Sequence, residues 1–306
     1  MRFIDEHKSV FGVEPICRVL SEHGAPIAPS TYYAAVSRSP SARAVRDAQL
    51  RAEITRVWKD NREVYGADKV WLELNRQGIP VARCTTERLM RQLGLQGVRR
   101  GRKVRTTVPG AGGQRAPDLL RRDFTAPAPN RRWVADFTYV ATWSGIVYVA
   151  FVADIYSRAI VGWSAATHKR ARLVLDALQM ALWRRDHDGH RPGPGLVHHS
   201  DAGSQYTSFA FTAHLLEAGL DASIGTVGDA LDNALMESTI GLYKTELIKK
   251  DGPWKNLADV ELATASYIQW FNTTRLHTAI GGIPPDEYEA AYYAQTQPHP
   301  EAGPNN

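Results

Sequence analysis

Cysteine is scarce. The 306-residue chain holds two, Cys17 and Cys84, 67 positions apart and without a neighbouring ligand pair. That excludes a disulfide framework, gives no zinc-ligand spacing and fits a reducing cytoplasm. Long apolar runs are missing as well. The longest, Gly145 to Ala153, stops at Asp154 after nine residues, whereas a bilayer-spanning helix needs about 20. Near the start, Asp5, Glu6 and Lys8 interrupt any signal-peptide apolar core. No membrane partner and a cytoplasmic location are therefore expected. There is no internal repeat, and no low-complexity segment before the tail that follows Tyr293. What remains is 43% hydrophobic and 23% charged, which excludes a disordered tail protein. At roughly 100–200 residues per domain, the length allows two.

The formal charge of +5 conceals an asymmetry. Residues 1–120 carry 21 Lys and Arg against 12 Asp and Glu, a surplus of nine positive charges. The remainder carries 16 against 20, a surplus of four negative charges. A basic front joined to an acidic back suggests a polyanion-binding module attached to a part that uses carboxylates.

Helical spacing dominates the front. From Val13 to Ser37 two short helical patterns flank Gly24–Pro26. Ile16, Val19 and Leu20 form the stripe of the first, and Ser30 is placed to cap a turn carrying Tyr32, Tyr33 and Val36. Residues 1–38 are read as a helical, helix-turn-helix-like segment. Ser39-Pro40-Ser41 opens a new unit in which Leu50, Ile54 and Val57 recur at helical spacing. A helix bearing Val70, Leu72 and Leu74 ends at Gly78, and another covers Val81 to Leu93 with Leu89, Met90 and Leu93 inward. Arg83, Arg88 and Arg91 lie along this last helix. The arrangement reads as a DNA-binding helix-turn-helix or as a plain helical bundle with solvated arginines. Arg99, Arg100, Arg102, Lys103 and Arg105 follow as a basic arm. A helix-turn-helix domain over 39–105 and a Gly/Pro/Ala-rich linker over 106–120 are expected.

Beyond the linker the texture changes. Trp133–Val140, Tyr148–Ile155 and Ala159–Ser164 read as strands from their aromatic and β-branched content, with shorter ones at Leu196–Ser200 and Ala222–Ile224. Helices are expected over Arg172–Arg185, Ser208–Ala218, from an Asp232 cap to about Lys249, and last over Asp259–Phe271. Three consecutive strands followed by alternating helices and strands make this an α/β part, a mixed sheet with helices on both faces.

Three acids in that part are not explained by packing. Asp136 interrupts an otherwise apolar or aromatic strand, on the face of Val134 and Thr138, where a charge costs several kcal/mol unless paired. Asp201 follows a strand at its carboxyl end, where ligand sites of open α/β sheets concentrate; it also suits an ordinary turn before Gly203. Glu237 lies one turn into its helix, sharing a face with Asn233 and Lys244, and also suits a solvated helix position. Asp154 reads as a turn residue and Asp232 as an N-cap.

The spacing and surroundings of these acids add more. Asp136 and Asp201 have 64 residues between them, Asp201 and Glu237 35. Around them stand His198-His-Ser-Asp201-Ala-Gly-Ser-Gln205-Tyr, Asp232-Asn-Ala-Leu-Met-Glu237 and Leu242-Tyr-Lys-Thr-Glu-Leu-Ile248. Here the chain resembles the D,D,35-E transposases related to retroviral integrases, and more narrowly the second-frame product of the IS3 family of bacterial insertion elements. Tyr65-Gly-Ala-Asp-Lys69-Val-Trp and Thr85–Gly97 resemble that family's helix-turn-helix region, and Trp133-Val-Ala-Asp136 its first catalytic strand. Phe271-Asn272, Arg275-Leu-His277 and Pro284-Pro285 resemble the motif that closes the core. The resemblance covers nearly the whole chain, with two departures. Asp68 stands where related sequences often carry a basic residue, and Gly281-Gly282 replaces a glycine-aromatic pair.

The resemblance implies an RNase H-like catalytic core over 121–288, a tail over 289–306, and convergence of Asp136, Asp201 and Glu237. Unit charges about 4 Å apart repel by roughly 4 kcal/mol at an effective dielectric of 20. Three such carboxylates call for hard cations, Mg²⁺ or Mn²⁺, two per site, which activate the attacking oxygen and stabilise the leaving one. Nicking and strand transfer at the element's ends follow, with no covalent protein–DNA intermediate. The family pattern gives Lys244 a phosphate-contact role; the residue alone also suits a surface lysine. Asn233, His199 and Gln205 are supporting candidates, the last two either lining the cleft or in a packed or turn-stabilising role. The expected partners are terminal-repeat and target DNA, further copies of the chain on that DNA, and an upstream first-frame protein joined by frameshifting. A bacterial, nucleoid-associated location follows. Two other classes stay open: a DNA-binding regulator derived from an inactive transposase, and an RNase H-like nuclease that hydrolyses without transfer.

Overall fold

Short apolar stripes at the front of the chain give short helices. The computed structural model describes residues 1–99, 101, 125–200, 205–206, 208–224 and 234–296. It divides into two units, Met1–Glu53 and Ile54–Asn306. In the first, α1 (Arg2–Phe11), α2 (Val13–Glu22) and α3 (Pro29–Ser37) enclose Ile4, Val13, Ile16, Cys17 and Tyr32. The Tyr32 hydroxyl donates to Asp5 at 2.6 Å and accepts from Lys8 at 3.0 Å, tying α3 to α1. Two expectations fail here. Val19, read as part of the apolar stripe, is exposed, and Ser30 lies inside α3, whose N-cap is Ala28. Pro29 takes the first helical position, where its missing N–H costs nothing. The helix α1 was not anticipated.

The chain passes into the second unit through α4 (Ala42–Asp60). There Ile54 and Val57 are buried with Val70 and Leu74 of α5 (Ala67–Arg76) and Leu89 and Met90 of α6 (Arg83–Leu93). Gly94, in the left-handed conformation, ends α6, its N–H donating to the Met90 and Arg91 carbonyls. A side chain at Gly97 would place its Cβ 2.5 Å from the Gly66 nitrogen, so the segment after α6 lies directly on the chain before α5.

Extended chain appears where aromatic and β-branched residues crowd. The strands are β1 (Arg132–Thr142), β2 (Gly145–Asp154), β3 (Ile160–Ala166), β4 (Val197–Ser200) and β5 (Asp221–Ile224). They form one mixed sheet in the order β3-β2-β1-β4-β5, antiparallel from β3 to β1 and parallel from β1 to β5. Side chains alternate between its faces. On one face Trp133, Ala135, Ala150, Val152 and Val161 meet α7 (Ala171–His187) through Leu173, Val174, Ala177, Leu178 and Ala181. Contact is closest at Gly162, where a Cβ would stand 2.2 Å from the Ala177 carbonyl oxygen. The helix α8 (Phe209–Glu217) starts at Ser208, whose hydroxyl accepts the Phe211 N–H, and adds Phe211 and Leu215 to this core.

The other face is covered by α9 (Ala234–Tyr243), by a π-helical turn over Lys244–Ile248 running into α10 (Lys249–Asp251), and by α11 (Leu257–Thr273). Tyr243 joins them to the sheet. Its ring lies 5.0 Å from that of Phe151 and 5.6 Å from that of Tyr267, and its hydroxyl is 2.7 Å from Thr264 Oγ1. Such aromatic pairs add about 0.5–1.5 kcal/mol each beyond their buried area.

A further helix, α12 (Pro285–Thr296), follows the one expected to be last. Pro285 at its start and Asp286 and Glu287 in its first turn are the signals that mark it. It supplies Glu289, which accepts from Arg185 of α7 at 2.6 and 2.5 Å in a buried pair. The helix-turn-helix part also packs on this end of the unit. Tyr65 Oη accepts the Leu276 N–H at 2.7 Å, Arg76 donates to Glu287 at 2.8 Å, and Arg62 pairs with Asp251 at 3.2 Å. Gly282 fits the same contact, since a Cβ there would stand 2.5 Å from Leu72 Cδ2. Among the described residues, no helix is long and apolar enough to cross a membrane.

Candidate active site

The register of β1 decides where its acid points. Asp136 lies opposite Phe151 across the antiparallel ladder, and directly opposed residues share a face. Because Phe151 meets Tyr243, Asp136 faces α9. Among the described residues, the parallel partner β4 pairs with β1 up to Ala135↔Ser200. Asp136 is the next residue of β1 after this pair. It is half-buried, and its Oδ1 accepts the Phe137 N–H at 2.7 Å.

Packed on β1, α9 carries Glu237 in its first turn. Met236, Thr239, Ile240 and Tyr243 are buried while Glu237 is exposed. Two turns on, Lys244 is half-buried with its ammonium 4.8 Å from the centre of the Tyr139 ring. Burial pulls the Lys244 pKa below the ordinary lysine value, Lys249 adds to this, and Asp136 acts the other way. The structure therefore brings the Asp136 strand, the Glu237 helix and the Lys244 ammonium to one face of the sheet.

Asp201 and Asn233 lie outside the described residues. His199 is fully buried, with Nδ1 2.9 Å from Ser223 Oγ on β5. Gln205 donates through Nε2 to the Lys169 carbonyl oxygen at 2.9 Å, two residues ahead of α7. On the opposite side of β4, His198 is buried against Phe211, ring centres 5.3 Å apart. Burial foremost, then His199, pulls its pKa down to about 4, which keeps it neutral.

The two acids on the described elements offer oxygen donors alone, one half-buried and one exposed. That donor chemistry fits a hard divalent cation better than zinc or copper. Among the described residues, no group of three His, Cys, Asp or Glu side chains is placed to hold a metal.

The helix-turn-helix arginines are distributed unevenly. Arg91 is exposed and pairs with Glu87 at 3.1 Å, Arg88 is half-buried, and Arg99 is exposed. Asp68 pairs with Arg83, so this departure from the family pattern neutralises one arginine at the start of α6. Arg100, Arg102 and Lys103 lie outside the described residues. Sequence reasoning missed two lysines. Lys69 sits with its ammonium 5.1 Å from the Tyr65 ring centre, its pKa pulled to about 7 by burial and then by Arg275. Lys249 follows the π turn, and no periodicity in the sequence announces that turn.

Comparison with known proteins agrees with this layout. Residues 126–230 and 218–285 each match a family described as an integrase core domain, and residues 45–103 match an HTH-like domain. A Mycobacterium tuberculosis protein named for insertion sequence element IS986/IS6110 is 54% identical over 278 residues, covering 91% of this chain and 100% of the relative. The transposase for insertion sequence element IS629 of Shigella sonnei is 50% identical over 299 residues, covering 96% and 97%. Transposase InsF for insertion sequence IS3A of Escherichia coli K12 is 34% identical over 295 residues, covering 94% and 97%. Among solved structures, the HTLV-2 integrase catalytic core domain in complex with magnesium is similar at 17% identity and a TM-score of 0.42, over 53% of this chain and 98% of that one. The fold is an integrase core of the RNase H-like type with a helix-turn-helix-like region before it. The chain belongs to the IS3 family of insertion-sequence transposases, enzymes of the polynucleotidyl-transferase type.

Proposed function

We propose that Asp136, Asp201 and Glu237 form one divalent-metal site, holding two Mg²⁺ or Mn²⁺ ions, at which this transposase nicks the ends of its element and joins them to DNA. The observation that carries this reading is the register around Asp136. Ser200, the residue before Asp201, pairs opposite Ala135, the residue before Asp136, and α9, the helix of Glu237, packs on β1. Bound divalent ions supply Lewis-acid stabilisation of charge on the oxygens of an in-line displacement.

The chain's own residues do the rest. Asp136 and Glu237 offer oxygen ligands from a strand and a helix, so their separation is set by rigid elements. Lys244 holds a backbone phosphate beside them. In the first reaction a water oxygen bonds to phosphorus as the P–O3′ bond breaks, freeing a 3′-hydroxyl. In the second, that hydroxyl oxygen attacks a target phosphorus and another P–O3′ bond breaks. The helix-turn-helix region over 39–105, with Arg88, Arg91, Arg99, Arg100, Arg102 and Lys103, grips the terminal repeats; the linker is 106–120 and the core 121–288. An element has two ends, so two or more copies act together on DNA, alone or joined to a first-frame polypeptide. This work takes place in the bacterial cytoplasm, on the nucleoid.

Glu237→Gln tests the assignment. It is expected to abolish Mn²⁺-dependent joining of labelled end oligonucleotides while end binding in chelator stays within about twofold, since an exposed side chain outside the core rarely changes stability by more than about 0.5 kcal/mol. Joining by this variant at the wild-type rate would refute the triad.

A further inference from the structure

The π turn between the catalytic helix and α10 changes which side chains stand together. In a continuous α-helix, residues five apart differ by about 140° around the axis. Here the Lys249 N–H donates to the Lys244 carbonyl oxygen, the five-residue hydrogen bond of a π turn. That one extra residue narrows the angle and brings the two lysines toward one side, where the charge of Lys249 acts on Lys244. The turn is anchored from inside, where Glu246 accepts from Arg275 at 2.8 and 2.6 Å and from Tyr267 at 3.1 Å.

The two ammonium groups repel. Among the described residues neither Lys244 nor Lys249 makes an ion pair, and Lys249 depresses the Lys244 pKa. Lys250, the next residue, is by contrast neutralised by Glu63 and Asp251 at 3.9 and 3.2 Å. Tyr139 floors Lys244 from below, and Gly101 lies beside Lys249, since a Cβ on Gly101 would stand 4.0 Å from its ammonium. A like-charged pair held by the backbone, beside Gly101 and an acid-bearing strand, is relieved by a polyanion.

We infer that Lys244 and Lys249 form a two-ammonium clasp for consecutive phosphates of the DNA strand, linking the basic arm to the active site. This rests on the proposed function and adds Lys249 and the π turn to it. Each phosphate contact contributes about 0.9 to the slope of log affinity against log salt on duplex DNA.

The full chain would be titrated with duplex DNA carrying the element's end, in chelator, over a range of salt. Lys249→Ala is expected to lower the slope by about one and weaken binding uniformly across sequences, and Lys244→Ala/Lys249→Ala to lower it by about two. Lys249→Glu weakens binding further, whereas Lys250→Ala changes neither quantity. Thermal unfolding of each variant at the wild-type midpoint shows that the fold is kept. A Lys249→Ala slope equal to wild type overturns the clasp and leaves the triad standing. A wild-type chain with no salt-dependent DNA binding overturns the clasp and the function beneath it together.

Discussion

Arg275→Met is expected to lower the thermal midpoint of the protein by on the order of 10 °C. Arg275 forms two charge-assisted hydrogen bonds to Glu246, and both residues are buried. The guanidinium lies near the Trp270 and Phe271 rings, 6.0 and 5.5 Å from their centres. Removing it leaves a carboxylate in the interior with the Tyr267 hydroxyl as its remaining donor. Breaking a buried pair on one side costs about 3–5 kcal/mol, more than the intact pair adds over an apolar replacement. The paired change Arg275→Met with Glu246→Leu therefore recovers much of the loss. A single variant as stable as wild type would show that Glu246 is not held by this arginine. Because the same carboxylate anchors the π turn, the single variant also loses the alignment of Lys244 with the active site.

Asp136→Asn has the opposite profile. It is expected to lower end joining by about 10²–10³-fold or more, the scale on which loss of one charge-stabilising group acts. The thermal midpoint stays at or above the wild-type value. The amide is nearly isosteric, and its oxygen can still accept the Phe137 N–H that Asp136 Oδ1 accepts now. What is lost is charge at a half-buried position facing α9. Wild-type joining by this variant, or a large fall in its stability, would assign Asp136 a structural role.

Much of this arrangement is legible in the sequence because it rests on local chemistry. Aromatic and β-branched content located all five strands, and the positions of Leu178, Ala181, Leu89 and Met90 gave the inner faces of α7 and α6. Asp154 is a turn residue as read, its Oδ1 accepting the Tyr156 and Ser157 N–H groups. Its other partners, the Asn130 N–H, Trp133 and Arg185, come from elements brought together by the fold. Local pattern carries no trace of them. The same holds for Glu246 with Arg275 and for Arg185 with Glu289, which lie 29 and 104 positions apart.

Other features stayed hidden for different reasons. A π turn inserts one residue into a helix, and no local pattern in the sequence marks it, so Lys249 reads only as the approximate end of the helix that carries Glu237. The helix α12 spans the expected boundary between the core over 121–288 and the tail over 289–306, and the sequence reading places no helix there. His199, read as either a cleft residue or a packed one, is buried against Ser223. Val19 belongs by spacing to the apolar stripe of Ile16 and Leu20, yet it faces solvent because its small unit has few residues to cover it.

The membership of Asp201 in the metal site is the claim on which the chemistry turns, and a change of ligand tests it most directly. Thiolate sulfur binds the hard Mg²⁺ ion poorly and accepts softer ions more readily. Nicking of an end-bearing duplex would be followed for Asp201→Cys, in Mg²⁺ and then in Mn²⁺, at equal occupancy of the DNA. The account predicts loss of nicking in Mg²⁺ and partial recovery in Mn²⁺. Nicking at the wild-type rate in Mg²⁺ would contradict it.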